Sequence, residues 1–204
     1  MGFYRNVILP KLCDFTMKNE RLMPFRERVV GRAEGRVLEI GAGSGLNLSL
    51  YRAAVDEVIA LEPDPNLARM SEARASERSR PVKWLEASGE DIPLENGSVD
   101  TVVSTWTMCS IPDAVRALGE MRRVLKAGGR LVFVEHGLAP EPRVQKWQQT
   151  IDPLWSRISG GCHLNRPIRR MIEEAGFRME AIETCYLPGP KSMGFLTEGS
   201  ARPG

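Results

Sequence analysis

The 204-residue chain carries 28 Lys and Arg against 26 Asp and Glu, a formal charge of +2 with the two signs interspersed. An apolar content of 42% with 19 glycines excludes a wholly disordered chain, and the balanced charge leaves no basic footprint for nucleic acid. The longest uncharged stretches, Ile40 to Tyr51 and Thr101 to Pro112, are each about a dozen residues, too short to span a bilayer, so the expected partner is a small molecule.

The N-terminal run MGFYRNVILPKL mixes charge into a short apolar stretch and has no small-residue cleavage site. Cys13, Cys109, Cys162 and Cys185 lie far apart with no C-x-x-C pair, and His136 and His163 are the only histidines. Neither a disulfide framework nor a metal site is expected from that spacing, and a reducing cytoplasmic location is. A single domain over residues 1–204 is expected, with a helical cap over 1–34, a core over 36–136 and substrate-side helices and strands over 137–204.

Residues 3 to 34 read as helical with breaks at Pro10 and Pro24. Within it residues 7 to 30 could lie on a membrane surface, but the breaks favour a lid over a pocket. From residue 36, β-branched runs alternate with helical patterns, the signature of βαβ units. Strands are expected at Arg36 to Ile40, Glu57 to Glu62, Val82 to Glu86, Val99 to Ser104 and Arg130 to Glu135. The fold class is therefore α/β: a Rossmann-like doubly wound sheet of five parallel strands. Phe177 to Cys185 and Ser192 to Ala201 read as an antiparallel edge pair.

The first strand runs into Gly41-Ala42-Gly43-Ser44-Gly45, a G-x-G-x-G turn expected to open a helix. Glycines there let backbone amides approach a ligand, and a following helix would offer its positive end. Alone, the pattern is equally that of a tight turn. The next strand supplies Glu62-Pro63, a carboxylate about twenty residues on, where an acid grips ribose hydroxyls. The two elements together mark a nucleoside cofactor. The dinucleotide fingerprint places its third glycine one position later than Gly45, which disfavours a nicotinamide-dependent oxidoreductase.

Further along, Ser88-Gly89-Glu90 reads as a turn or as part of a binding loop. Asp100, at the start of the fourth strand, reads as structural. Thr105, Trp106, Thr107 and Cys109 follow that strand at the carboxyl edge, where open α/β sheets bind ligands. Trp106 could offer a π-face to a cation or simply pack, and Cys109 lacks the base a nucleophile needs. Val124 to Gly129 reads as a helix end with glycine caps. His136 directly follows strand five, and the Glu135-His136 pair could orient or accept a proton or could serve only at the surface or in packing. Trp147, Ile151, Leu154, Trp155 and Ile158 recur at three- and four-residue steps and are expected to pack inward. His163, beside Cys162, reads as a pocket wall or loop residue.

VLEIGAGSG, ALEPD, EASGEDIPL, VDTVVSTWTMCSIPD and RRVLKAGGRLVFVEHG resemble, in order and spacing, the motifs of class I S-adenosylmethionine-dependent methyltransferases. The match covers residues 36 to 136 and is of the methyltransferase-11 type. FYRNVILPKLCDFTMKN, GSGLN, WQQTIDPLW and GGCHLNRP are also similar to mammalian thiol S-methyltransferases and their soluble bacterial relatives. The resemblance implies S-adenosyl-L-methionine as cofactor. It places Glu39, Asn47 and the backbone of Gly41, Ala42, Gly43 and Gly45 at the methionine part, and Glu62 and Pro63 at the ribose. Ser88 stands where many relatives have Asp at the adenine, with Gly89 and Glu90 beside it. Thr105 and Trp106 would border the sulfonium, and His136 is the candidate catalytic group. The acceptor implied is a small molecule, a thiol among the candidates. The alternatives are a phospholipid or amine N-methyltransferase and a non-catalytic cofactor-binding subunit. The oligomeric state leaves no mark in the sequence.

Overall fold

The computed structural model describes residues 4–75 and 81–204. Five parallel strands, β1 (Gly35–Ile40), β2 (Val55–Leu61), β3 (Val82–Leu85), β4 (Val99–Thr105) and β5 (Leu125–His136), join two antiparallel strands, β6 (Phe177–Tyr186) and β7 (Phe195–Pro203). They form one sheet in the order β3-β2-β1-β4-β5-β7-β6. The C-terminal strand thus inserts between β5 and β6, so that the edge pair expected from sequence extends the parallel sheet.

Alternation along the strands sorts their side chains between two layers. Leu38, Ile40, Ile59, Leu61, Leu131 and Phe133 point to one face. There they pack against α4 (Ala114–Val124) and α6 (Ile168–Glu174). Val37, Val58, Val103, Val132 and Val134 point to the other, with Val29 and Val30 of α2 (Met23–Val30). Each fully buried Leu, Ile or Val contributes roughly 1.5–3 kcal/mol, so both layers are needed to close the sheet. In α4 the apolar stripe Ala117, Leu118, Met121 and Val124 is buried, and Asp113 caps the helix by accepting from the Arg116 amide at 3.0 Å.

The strand order reverses between β1 and β4, which opens a crevice at their carboxyl ends. The register aligns those ends: Ile40 faces Leu61 on one side and Ser104 on the other, and Thr105 faces Val134. Residues 41–45, Glu62, Thr105 to Cys109 and His136 therefore converge on one edge.

Four local expectations fail. No helix follows the glycine turn: residues 41–54 form successive turns, with amides of Gly45, Leu48 and Leu50 bonding three residues back. A dipole from that position is absent, and the polar work falls to individual amides. The Val124 to Gly129 segment is not a glycine-capped helix end. Helix α4 stops at Val124, Leu125 is already extended, and neither Gly128 nor Gly129 has positive φ. Ser192 to Gly194, read as strand, lie in α7 (Lys191–Gly194), one turn placed before β7.

The fourth failure is α5 (Pro142–Ile158). Its apolar face looks outward, with Trp147 65%, Leu154 66% and Ile158 48% exposed, while Gln148 and Asp152 are buried. The cause is what lies beneath the helix. Gln148 bonds the Ala139 amide and the carbonyls of Gly137 and Leu164, and Asp152 accepts from the Leu164 amide at 2.7 Å. Two loops present unpaired backbone groups there, and buried amides and carbonyls demand partners that apolar side chains cannot give.

Candidate active site

The glycine turn is conformationally specified. Gly41 and Gly45 sit at φ 63° and 80°. A Cβ on Gly41 would lie 2.4 Å from a Thr107 side-chain atom, and one on Gly45 2.4 Å from Ser71 Oγ. Between them the Gly43 amide donates to Glu62 Oε2 at 2.8 Å, and the Asp64 amide donates to Oε1 at 2.9 Å. Glu62 is thereby fixed across the crevice with unused lone pairs on both oxygens. Burial nevertheless raises its pKa.

Behind the turn lies a buried polar chain. Glu39 accepts from Tyr51 Oη and Asn47 Nδ2, both at 2.8 Å, and Asn47 Nδ2 also bonds Thr105 Oγ1 at 2.9 Å. Arg26, from α2, donates to Asn47 Oδ1 at 2.7 Å. Burial pushes Glu39 up to about 7 against the opposing bonds from Tyr51 and Asn47, and lowers Arg26 to about 10. Arg26 Nε and Trp106 Nε1 are both buried without a hydrogen-bond partner.

Trp106 is the described non-glycine residue with positive φ, at 53°. That strain holds its indole at the crevice. The Arg26 guanidinium lies 4.9 Å over the ring, so a cation already takes one π-face. Helix α1 (Leu9–Met17) is clamped above the turn: Asp14 accepts from Ser44 Oγ at 2.5 Å and Arg74 Nη2 at 2.8 Å, and pairs with Lys18.

Ser88 and Glu90 bond each other, and Glu90 also accepts from the Asp113 amide at 2.6 Å. Glu90 Oε1 thus braces the loop against the start of α4, while Oε2 closes the loop on Ser88. Asp100 binds the Arg36 amide and Lys126, the structural role read from sequence. Gly89, Ala42 and Pro63 stand beside these groups without side-chain hydrogen bonds of their own.

On the β5 side, buried Glu135 accepts from Ser104 Oγ and from the amides of Thr107, Met108 and Cys109 at 2.7–3.2 Å. It pins the post-β4 loop to the sheet, and burial raises its pKa. Beyond it His136 Nδ1 lies 3.7 Å from Cys162 Sγ, which lies 3.5 Å from Cys109 Sγ. The contact between the sulfurs, with His136 alongside, draws Cys162 below the ordinary thiol value despite burial. The same contact and burial push Cys109 up. Cys109 and Cys162, far apart in sequence, thus meet in three dimensions. His163 pairs with Asp152 at 2.8 Å and anchors its loop.

The residues present fit S-adenosyl-L-methionine. Arg26 offers a buried guanidinium with an unused donor for a carboxylate, Glu39 and Glu62 offer acceptors for an ammonium and a diol, and Gly43, where an added Cβ would meet nothing closer than 3.9 Å, leaves the turn open on the crevice side. The structure brings Glu39, Glu62, Asn47, Thr105 and Trp106, the residues named from sequence, to one edge of the sheet, together with Arg26, Tyr51 and Asp14, which the sequence reading did not name as site residues. Arg26 and Asp14 lie in the cap: Arg26 falls outside every motif, and Asp14 sits inside FYRNVILPKLCDFTMKN, which assigns it no role. Glu135 was visible beside His136, its burial was not.

Residues 38–133 match the family described as Methyltransferase domain. Thiol S-methyltransferase TMT1B of Rattus norvegicus is 34% identical over 171 residues, covering 79% of this chain and 70% of the relative. The human protein of that name is 36% identical over 174 residues, with 79% and 71% covered. Among solved structures, the YcgJ protein of Bacillus subtilis aligns with a TM-score of 0.66 at 23% identity, covering 81% of this chain and 72% of that one. A geranyl diphosphate methyltransferase bound to its diphosphate substrate and sinefungin aligns with a TM-score of 0.68 at 16% identity, covering 88% and 75%. The fold, the glycine turn with its carboxylate partner and these likenesses agree: the chain belongs to the class I S-adenosylmethionine-dependent methyltransferases, of the methyltransferase-11 type.

Proposed function

We propose that the small-molecule acceptor of this methyltransferase is a thiol. The observation that carries this reading is the reach of the likeness: 171 aligned residues against a family match confined to 38–133, with relatives named thiol S-methyltransferases. The likeness therefore extends past the cofactor-binding core into flanking segments that border the crevice.

When bound, S-adenosylmethionine supplies an electrophilic methyl group on a sulfonium. The chain's residues position it. Arg26, Glu39 and Asn47 hold the methionine part with the amides of residues 41–45, Glu62 and Pro63 hold the ribose, Ser88 and Gly89 border the adenine, and Thr105 and Trp106 flank the sulfonium. Glu90, with both oxygens engaged, supports the loop. In-line displacement needs the acceptor aligned opposite the leaving sulfur, and good alignment is worth on the order of 7–11 kcal/mol. A thiol, with a pKa near about 8.5, supplies enough thiolate at neutral pH without an obligatory base. His136 serves as a group touching the acceptor.

Turnover measured as S-adenosylhomocysteine release over thiols, amines, phenols and phospholipids tests the reading. Thiols should turn over fastest, and His136→Ala should slow them only modestly. A preferred amine or phenol whose rate falls about 10² to 10⁴ in His136→Ala would overturn it and make His136 the base.

A second reading, a lipid acceptor, is favoured by the exposed apolar side chains of α1 and α5, Leu12, Phe15, Trp147 and Leu154 among them. No helix among the described residues is long and apolar enough to cross a membrane, so contact would be peripheral. Co-sedimentation with phospholipid vesicles and turnover of their headgroups support it; neither occurring removes it.

A further inference from the structure

The crevice contains a set of soft ligands that methyl transfer does not require. Cys109 comes from the loop after β4, His136 from the end of β5 and Cys162 from the loop after α5. Their ligating atoms all lie within 4.8 Å of one another. The separations of 3.5 Å between the sulfurs and 3.7 Å from Cys162 Sγ to His136 Nδ1 can be set against a metal's demands. With zinc–sulfur bonds of about 2.3 Å and zinc–nitrogen bonds of about 2.0–2.1 Å, tetrahedral ligands stand roughly 3.6–3.8 Å apart. Such spacings need only small side-chain shifts. A disulfide would account for the two sulfurs but gives no role to the histidine.

We propose that Cys109, His136 and Cys162 form a binding site for a borderline-soft divalent cation of the zinc type, with three protein ligands and one open position.

The surroundings suit it. Two thiolates and a divalent ion sum to zero charge, which removes the penalty of burying either sign alone. The backbone that carries Cys109 is held rigidly, since Glu135 accepts from the Thr107, Met108 and Cys109 amides. The loop that carries Cys162 is held by its neighbour, with the His163 amide bonded to the Cys109 carbonyl at 2.8 Å. Trp155 Nε1, from α5, is a buried donor with no hydrogen-bond partner, near enough to Cys162 to help lower its pKa. Donors of that kind orient and tune metal-bound thiolates. Sulfur and imidazole favour zinc or cobalt over magnesium or calcium, which take oxygen. Three ligands with an open fourth is the count of sites that accept an exchangeable ligand, in contrast to closed structural sites.

The test uses the full chain, reduced and freed of metal by chelation. Titration with Co²⁺ should give one ion per chain with sulfur-to-cobalt charge-transfer absorption, displaced by Zn²⁺ and unaffected by Mg²⁺. Cys109→Ser, Cys162→Ser and His136→Ala should each weaken binding by roughly tenfold or more, and Cys185→Ser should leave it intact. A second measurement needs no variant: Zn²⁺ should shield Cys109 and Cys162, but not Cys185, from alkylation mapped by mass spectrometry. Binding without thiolate absorption, binding that survives Cys109→Ser/Cys162→Ser, or alkylation indifferent to Zn²⁺ overturns the proposal. Calorimetry with S-adenosylmethionine on the same chelated sample separates this site from the methyltransferase reading, because cofactor binding without metal uptake sinks the first and leaves the second standing.

Discussion

On the β1 and β2 side of the crevice, the contacts that hold the two carboxylates run between residues close in sequence: Asn47 to Glu39 at a separation of 8, Tyr51 to Glu39 at 12, Gly43 to Glu62 at 19, with Thr105 and the cap joining from further away. On the β5 side, Cys162 meets His136 across 26 residues and Cys109 across 53. The first side is assembled by one βαβ-like unit as its strands pair. The second exists only once β4, β5 and α5 have docked. Short-range networks couple cofactor affinity to local hydrogen bonds, whereas long-range clusters depend on the docking of whole elements, so damage on the two sides should read out differently.

The strongest test of that contrast is Glu62→Ala. Losing a fixed charged acceptor costs about 1.5–3 kcal/mol of S-adenosylmethionine affinity, roughly a 10- to 150-fold rise in Kd, in a protein that stays folded. Calorimetry reads it, and unchanged affinity would remove Glu62 from the cofactor side. Next, Asn47→Ala breaks the bonds joining Glu39, Thr105 and Arg26 and leaves Glu39 and Arg26 poorly paired. A stability loss of about 1–3 kcal/mol is expected, seen as a lower urea midpoint at constant slope. A midpoint matching wild type would show the network to be dispensable.

Glu39 sharpens the comparison through pH. Burial raises its folded pKa to about 7 from an ordinary 4.5. Between those values the native protein keeps a proton that the unfolded chain has released, so this group's contribution to stability falls as pH rises from about 4.5 to about 7. Glu39→Gln, uncharged throughout, lacks that component. Chemical denaturation of both proteins across the window should show wild type losing stability relative to the variant, and parallel curves would mean that Glu39 is ionised in the native state. The smallest effect belongs to Trp147→Ser on the acceptor-side helix. Its side chain is 65% exposed, so stability should move by no more than about 0.5 kcal/mol. A larger loss in thermal unfolding would mean that the tryptophan, and not Gln148 beneath it, holds α5 in place.

Much of the molecule was legible without coordinates. Alternation and β-branched runs identified the five parallel strands because burial on both faces demands apolar side chains at every position. The glycine turn and Glu62 were legible because positive φ and a strand-end carboxylate are local requirements that few other residues satisfy. Periodicity located α4 and α5 equally well, yet it reports only that a face exists. In α4 that face meets the sheet. In α5 it meets solvent, since unpaired backbone groups of residues 137, 139 and 164 call for Gln148 and Asp152 instead. Likewise Arg26 and Asp14 belong to the site through the docking of the cap, and Cys109, His136 and Cys162 form a cluster through three loops meeting at one edge. The sequence by itself determined the strands, the turn and a nucleoside cofactor, because those follow from local geometry and short-range patterning, and its resemblance to a known family named that cofactor as S-adenosyl-L-methionine. The tertiary structure alone decided which helix face is buried and which distant side chains meet at the crevice edge, because both depend on what each element meets when the chain closes.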